Sequence, residues 1–219
     1  SNGGDVMNAD KTKSTMNTPE AIEAIQYLVD LVQEYKVAPE PGDPSVFIEG
    51  APTPFEAGLV AMHVHSSAMA TSYQEIEAFT PCACVLPQAP GGTPCCSFNG
   101  NPNSIPESSK VKEAAWKFVT FLSSQEGMES MALQKLGMPA NKSVCYRADL
   151  YLKPPPYNLE VFANAMNIAC CNDLRFVRLW LEWVNALQAP VQLALLGEMS
   201  VEEACAKIDE DCDEVLARS

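Results

Sequence analysis

Apolar side chains recur at helical spacing in several stretches of the chain. Ile22, Ile25, Leu28, Val29 and Val32 form the first stripe. Thr18-Pro19-Glu20 stands before it: a capping hydroxyl, a proline at the first helical position and an acid near the positive helix end. This predicts a helix from there to about Tyr35. Val111, Ala114, Ala115, Phe118, Val119 and Leu122 form a second stripe and predict a helix over 110–122. Ser123 and Glu126 have capping-box spacing and predict a short helix after it. Residues 159–169 read as helical, and 174–196 as a long apolar helix interrupted by Pro190. A second capping box, Ser200 with Glu203, opens a last helix reaching about Leu216.

The β signal is weaker. Residues 59–65 read as a short buried strand and 83–87 as another, with a strand end in 97–106. Phe55-Glu56-Ala57-Gly58 reads as one helical turn closed by glycine. Loops are expected over 1–17, 36–44 and around Pro90-Gly91-Gly92. Three consecutive prolines make 153–157 rigid and extended. Helices with a few short strands indicate an α/β or α+β chain.

Charge then removes several functions. The chain has 219 residues with 28 Asp+Glu against 14 Lys+Arg, a net charge of −14. Phosphate backbones and anionic membranes repel such a chain, so no nucleic-acid partner is expected. Hydrophobic residues make up 47% of it, enough for a sizeable core. The polar N-terminus lacks a basic-then-apolar signal-peptide pattern, so a signal never existed, was removed, or the chain begins partway through a longer protein.

No catalytic signature is present. There is no nucleophile elbow, P-loop or C-x-x-C among the residues. The nine cysteines read mainly as small buried apolar residues, with disulfide pairing, metal binding or catalysis as the other readings. Cys82 and Cys84 alternate on an expected strand and face one side, as do His63 and His65. Those four residues support an alternative reading, a thiol- or metal-dependent enzyme. Glu202, Glu203, Asp209, Glu210, Asp211, Asp213 and Glu214 read as a solvated helix face. Trp180 and Trp183 at i, i+3, Asn99 and Asn101 in an amide-rich loop, and Ser66-Ser67 at a strand end form a binding-type inventory. Aromatic faces stack on sugar rings while amides and hydroxyls pair with sugar hydroxyls, in a concave site.

The order of segments is more specific than any of these. Thr18 to Val32, the loop ending Val37-Ala38-Pro39, Phe55-Glu56-Ala57-Gly58-Leu59-Val60-Ala61-Met62, and Val85-Leu86-Pro87 with Pro90-Gly91-Gly92 come first. Ser109 to Phe118, Phe121 to Gly127, and Gly197 to Ala204 follow. The series resembles the sugar-binding extracellular solute-binding proteins of bacterial ABC importers, the group that includes maltose-binding protein. The resemblance implies a periplasmic-binding-protein-like, two-lobed α/β fold that closes on a sugar by hinge bending. Family members are about twice as long, and the match is to their second half. Residues 1–97 would then lie in the second lobe, 98–138 would cross the hinge into the first, and 139–219 would return. The resemblance further implies a carbohydrate ligand, a membrane permease as partner, no cofactor or metal, no enzymatic activity and a monomer. It places the protein in the periplasm or outside the cell, with a lipid anchor allowed in the full-length form. Ser66, Ser67, Asn99, Asn101, Trp180 and Trp183 would line the cleft. The sequence departs from the family where Ala68, and not a tryptophan, follows the small polar pair.

Overall fold

The computed structural model describes residues 2–46, 53–171 and 177–218. Two compact units share the chain. The first comprises Ser1–Phe47, Pro87–Cys95 and Asn172–Ser219, and the second Ile48–Leu86 and Cys96–Cys171.

The first unit is built on three helices: α1 (Pro19–Gln33), α7 (Trp180–Leu195) and α8 (Val201–Arg218). On α8, Val201, Ala204, Cys205, Ile208, Cys212 and Val215 are buried. Those positions fall on one helical stripe and leave the acids on the other side. Trp183 of α7 packs with Ile208, Cys212, Val215, Met7, Met16, Ala21 and Val177. Val29 of α1 packs with Ala194, Val201, Ala204 and Cys205 in a second cluster. The indole of Trp183 is 1% exposed and its Nε1 has no hydrogen-bond partner among the described residues. Burying so large a ring offsets the cost of about 1–3 kcal/mol for one unpaired donor.

The connection between α7 and α8 is fixed at both ends. Gly197, at φ +72°, follows α7; its N–H donates to the Ala194 carbonyl and that of Glu198 to Leu193. This is a Schellman closure, and only glycine adopts its geometry without strain. Ser200 and Glu203 then form the expected capping box, with the Glu203 N–H donating to Ser200 Oγ and Ser200 N–H and Oγ donating to the Glu203 carboxylate. Those bonds hold the Glu203 carboxyl below its usual range. Pro190 lies inside α7 and does not end it, because the surrounding helix is held by packing against α8. The expected helix over 174–196 begins at Trp180; positions 174–176 lie outside the described residues.

Two expectations about polar residues change. Thr18 precedes α1 but does not cap it; its hydroxyl donates to the Thr15 carbonyl. The acidic face of α8 is not wholly solvated. Asp209 accepts from the N–H groups of Met16 and Asn17 at 2.8 and 3.0 Å, and Asp213 from that of Ser14 at 2.7 Å. These carboxylates hold down the N-terminal segment, which also closes on itself through a Met7–Ser14 bridge. Glu210 and Asp211 pair with Lys207.

The second unit contains α2 (Ala70–Tyr73), β1 (Cys96–Phe98), α3 (Lys112–Leu122), α4 (Gln125–Leu133), α5 (Lys142–Cys145), α6 (Glu160–Ala165) and β2 (Ala169–Cys171). β1 and β2 pair in parallel, Cys96 opposite Ala169 and Phe98 opposite Cys171. The core gathers Ala70, Ala132, Val144, Tyr151 and Leu159. Ser124, and not Ser123, caps α4, accepting from the Gly127 N–H at 3.2 Å. A side chain at Gly127 would lie 2.3 Å from the Phe121 carbonyl oxygen, so glycine lets α4 start directly against the end of α3. None of the residues of α3 is buried; Trp116 is 65% and Phe118 61% exposed.

The expected strands at 59–65 and 83–87 do not form. Residues 59–65 are irregular and largely exposed, with Met62 and Val64 open to solvent. Around 83–87 the ladder reduces to one parallel bridge between Cys82 and Tyr157. β-prone runs become strands only when a partner backbone accepts their hydrogen bonds. The Phe55–Gly58 turn does form: Gly58, at φ +72°, donates to the Phe55 carbonyl, and Thr53 Oγ1 accepts from the Glu56 N–H. The proline run leads through bends into the Tyr157 bridge in place of a continuous extended segment.

Two outcomes follow. Asp209→Ala deletes the acceptor of two backbone donors and is expected to lower stability by about 2 kcal/mol, the scale of a charge-assisted bond; Glu210→Ala, on the exposed side of the same turn, is expected to change little. Urea midpoints of the two variants make the comparison. Trp183→Ala empties the centre of the three-helix core and should cost about 3–5 kcal/mol, read by the same transition.

Candidate ligand-contacting side chains

The sequence-selected residues fall in both units, and each group stands in its own surroundings. In the first unit, Trp180 opens α7 and Trp183 follows one turn later. Their rings stack, with centroids 5.9 Å apart and planes inclined by 21°. Trp183 is enclosed in the core, whereas Trp180 is 37% exposed. The arrangement presents one indole to solvent with a second braced beneath it. Helical spacing dictates this: i and i+3 share a face, and the deeper residue belongs to the α7–α8 contact.

In the second unit, Ser66 is exposed and its N–H donates to His65 Nδ1 at 2.9 Å. Ser67 opens a short 3₁₀ turn that leads into α2 and is half-buried. Its hydroxyl lies by the buried Tyr151 phenol, whose pKa burial pushes well above the usual range, Cys145 adding to the shift and Ser67 opposing it. Asn99 and Asn101 are exposed on the irregular segment that leaves β1.

Beside Ser66 lies an aromatic cluster that motif reading passed over. The Phe55 ring packs on Tyr73 at 5.1 Å and edge-on against Phe79 at 5.2 Å. His63 Nδ1 and Tyr73 Oη are 2.7 Å apart, and the His63 and His65 rings are 5.0 Å apart. Partial burial lowers the pKa of His63, with the neighbouring His65 adding to the effect and Glu56 opposing it. A neutral imidazole paired with a phenol is a hydrogen-bonding couple that carries no net charge near pH 7. Phe55 was visible in the glycine-closed turn; Tyr73 and Phe79 sit in a stretch with no hydrophobic period to single them out.

His63 and His65 engage Tyr73 and Ser66. Among the described residues no group of three or more His, Cys, Asp or Glu side chains is arranged to hold a metal ion. The cysteines divide by environment. Cys145, Cys205 and Cys212 are buried, while Cys82 and Cys84 are exposed free thiols, against the expectation of general burial. Cys95 is in a disulfide. Burial, then the Asp209, Asp211 and Asp213 carboxylates, push the Cys212 thiol up to about 12. Cys212 is therefore neutral packing material at physiological pH. No helix among the described residues is long and apolar enough to cross a membrane.

Comparison with known proteins sets these side chains in a family. Residues 1–129 match the model of the bacterial extracellular solute-binding protein family. Among solved structures, an ABC substrate-binding protein from Listeria monocytogenes in complex with cycloalternan superposes with a TM-score of 0.75 at 24% identity, over 99% of this chain and 54% of that one. The cyclic alpha-maltosyl-1,6-maltose binding protein of Arthrobacter globiformis gives 0.71 at 22% identity, over 99% and 53%. Maltose-bound MalE3 of T. maritima gives 0.70 at 26% identity, over 96% and 54%. The chain thus spans about half the length of the structures it matches, and its fold is that part of the two-lobed binding-protein architecture. The family match covers more than half of the residues, and the chain belongs to the bacterial extracellular solute-binding proteins.

Proposed function

We propose that this chain is part of an extracytoplasmic binding protein that captures a neutral oligosaccharide for an ABC importer and performs no chemistry on it. The single observation that carries the reading is the exposed Trp180 ring stacked on buried Trp183. An indole held flat offers the apolar face of a pyranose a stacking surface at little cost in side-chain entropy. Family membership and the sugars named for the three structural neighbours support the same ligand class. The acidic net charge fits an uncharged ligand better than an anionic one.

In this reading Trp180 is the contacting ring and Trp183 positions it. Ser66, Ser67, Asn99 and Asn101 are the proposed polar contacts to sugar hydroxyls, with the His63–Tyr73 couple as an addition that the structure suggests. The remaining assignments come from the family's chain order. Residues 1–97 and 139–219 are assigned to the second lobe and 98–138 to the crossing into the first, a division distinct from that into compact units. The partner is a membrane permease, and the binding protein acts as a monomer in the periplasm or anchored by lipid outside the cell.

Calorimetric titration of the 219-residue chain with maltose, maltotriose and a cyclodextrin tests the proposal. Heat of binding is expected with at least one of them. Trp180→Ala should weaken that binding by about 1 kcal/mol, roughly fivefold. Leu181→Ala, also exposed on α7, should leave it unchanged. Folded protein that binds none of the sugars, or a Trp180→Ala variant that binds as tightly as the parent, contradicts it.

A further inference from the structure

The proposed sugar contacts include neither Cys82 nor Cys84, and the backbone on both sides of Cys82 is tied to Tyr157. The Tyr157 N–H donates to the Pro81 carbonyl at 3.0 Å, and the Ala83 N–H donates to the Tyr157 carbonyl at 2.8 Å. These two bonds make the parallel bridge between Cys82 and Tyr157 and keep residues 81–83 extended. Cys84 follows one residue after this fixed stretch, so the two thiols are separated along the chain by Ala83 alone. Ala83 is half-buried, and both thiols are free and exposed.

We propose that Cys82 and Cys84 form a two-thiolate binding site for a soft d¹⁰ cation of the Cu(I) type. Residues i and i+2 of a chain stand at most roughly 7 Å apart at Cα, and roughly 6.6 Å where the backbone is fully extended. That lies at the outer edge of the range of about 4.4–6.8 Å bridged by a disulfide. A thiolate–metal–thiolate link contains two bonds of roughly 2.3 Å each where zinc thiolates are the guide. It is about twice as long as the S–S bond of about 2 Å and suits the wider spacing. The ligand set selects the ion. Thiolate sulfur prefers soft cations. A structural zinc site needs four ligands, and among the described residues no group of even three candidate side chains forms. A net charge of −14 raises the local concentration of any cation. Binding releases both thiol protons: one Cu(I) and two thiols give a two-coordinate bis-thiolate complex of charge −1 and two protons, with no change of oxidation state. Among the described residues, the buried Cys145, Cys205 and Cys212 do not compete, being enclosed.

The test uses the full chain under anaerobic conditions, with Cu(I) held by ascorbate and delivered from a competing chromophoric chelator. One equivalent of Cu(I) is expected to transfer to the protein. Cys82→Ser and Cys84→Ser should each weaken the transfer by about tenfold or more, the scale on which even outer-shell partners of a metal act, and the double variant should abolish it. Both positions are exposed, and far-UV circular dichroism should be unchanged. An independent readout needs no variant: iodoacetamide mapped by mass spectrometry should modify Cys82 and Cys84 in metal-free protein and spare both in Cu(I)-loaded protein. Equal alkylation with and without Cu(I), or undiminished transfer to Cys82→Ser/Cys84→Ser protein, overturns the proposal.

Discussion

Burial of the Trp183 indole between α7 and α8 is the constraint on which the first unit depends. The ring belongs to one buried cluster with Ile208, Cys212 and Val215 from α8 and Met7, Met16 and Ala21 from the N-terminal part of the chain, so that cluster ties three segments together. Trp180, three residues earlier on the same face and at the first residue of α7, is both exposed and stacked on Trp183. The buried ring and the exposed ring thus lie on one face of one helix.

Polar groups complete what that packing begins. The Gly197 closure and the Ser200–Glu203 box set the short turn from α7 into α8, satisfying carbonyls at one helix end and N–H groups at the next. Asp209 and Asp213 reach from α8 to the N-terminal segment and accept three of its backbone donors. In the second unit the same economy serves a different arrangement. Lys135 is buried and its ammonium donates to the Pro155 carbonyl, while Thr71 donates to the Lys135 carbonyl. Burial, and then nearby Lys153, lower the pKa of Lys135, the direction expected of an ammonium removed from water.

How much of this could be read from the sequence follows from the range of the forces involved. The helices were legible because a 3.6-residue stripe is a local record of a distant surface: the α8 positions from Val201 to Val215 need no knowledge of α7 to be recognised. The capping box at Ser200 and the glycine-closed turn at Gly58 were legible for the same reason, since their partners lie within a few residues. Strands at 59–65 and 83–87 were misread because a β-prone run says nothing about whether a partner is present. Asp209 was misread because its donors, Met16 and Asn17, stand at the other end of the chain. Of the candidate contacts, the two tryptophans were found by spacing, but only the fold distinguishes the exposed ring from the one that braces it. The His63–Tyr73 pair bridges ten residues without a period and left no pattern to detect.

The central claim is that Trp180 meets the sugar while Trp183 supports it. The chain has three tryptophans, Trp116, Trp180 and Trp183, so its indole N–H signals in a ¹H–¹⁵N correlation spectrum can each be assigned by substitution. Titrating the oligosaccharide that binds in calorimetry into the labelled chain should shift the Trp180 signal most, move that of Trp183 through the stack, and leave exposed Trp116 of α3 in place. A saturating titration that shifts Trp116 most, or leaves all three signals fixed, would contradict the account.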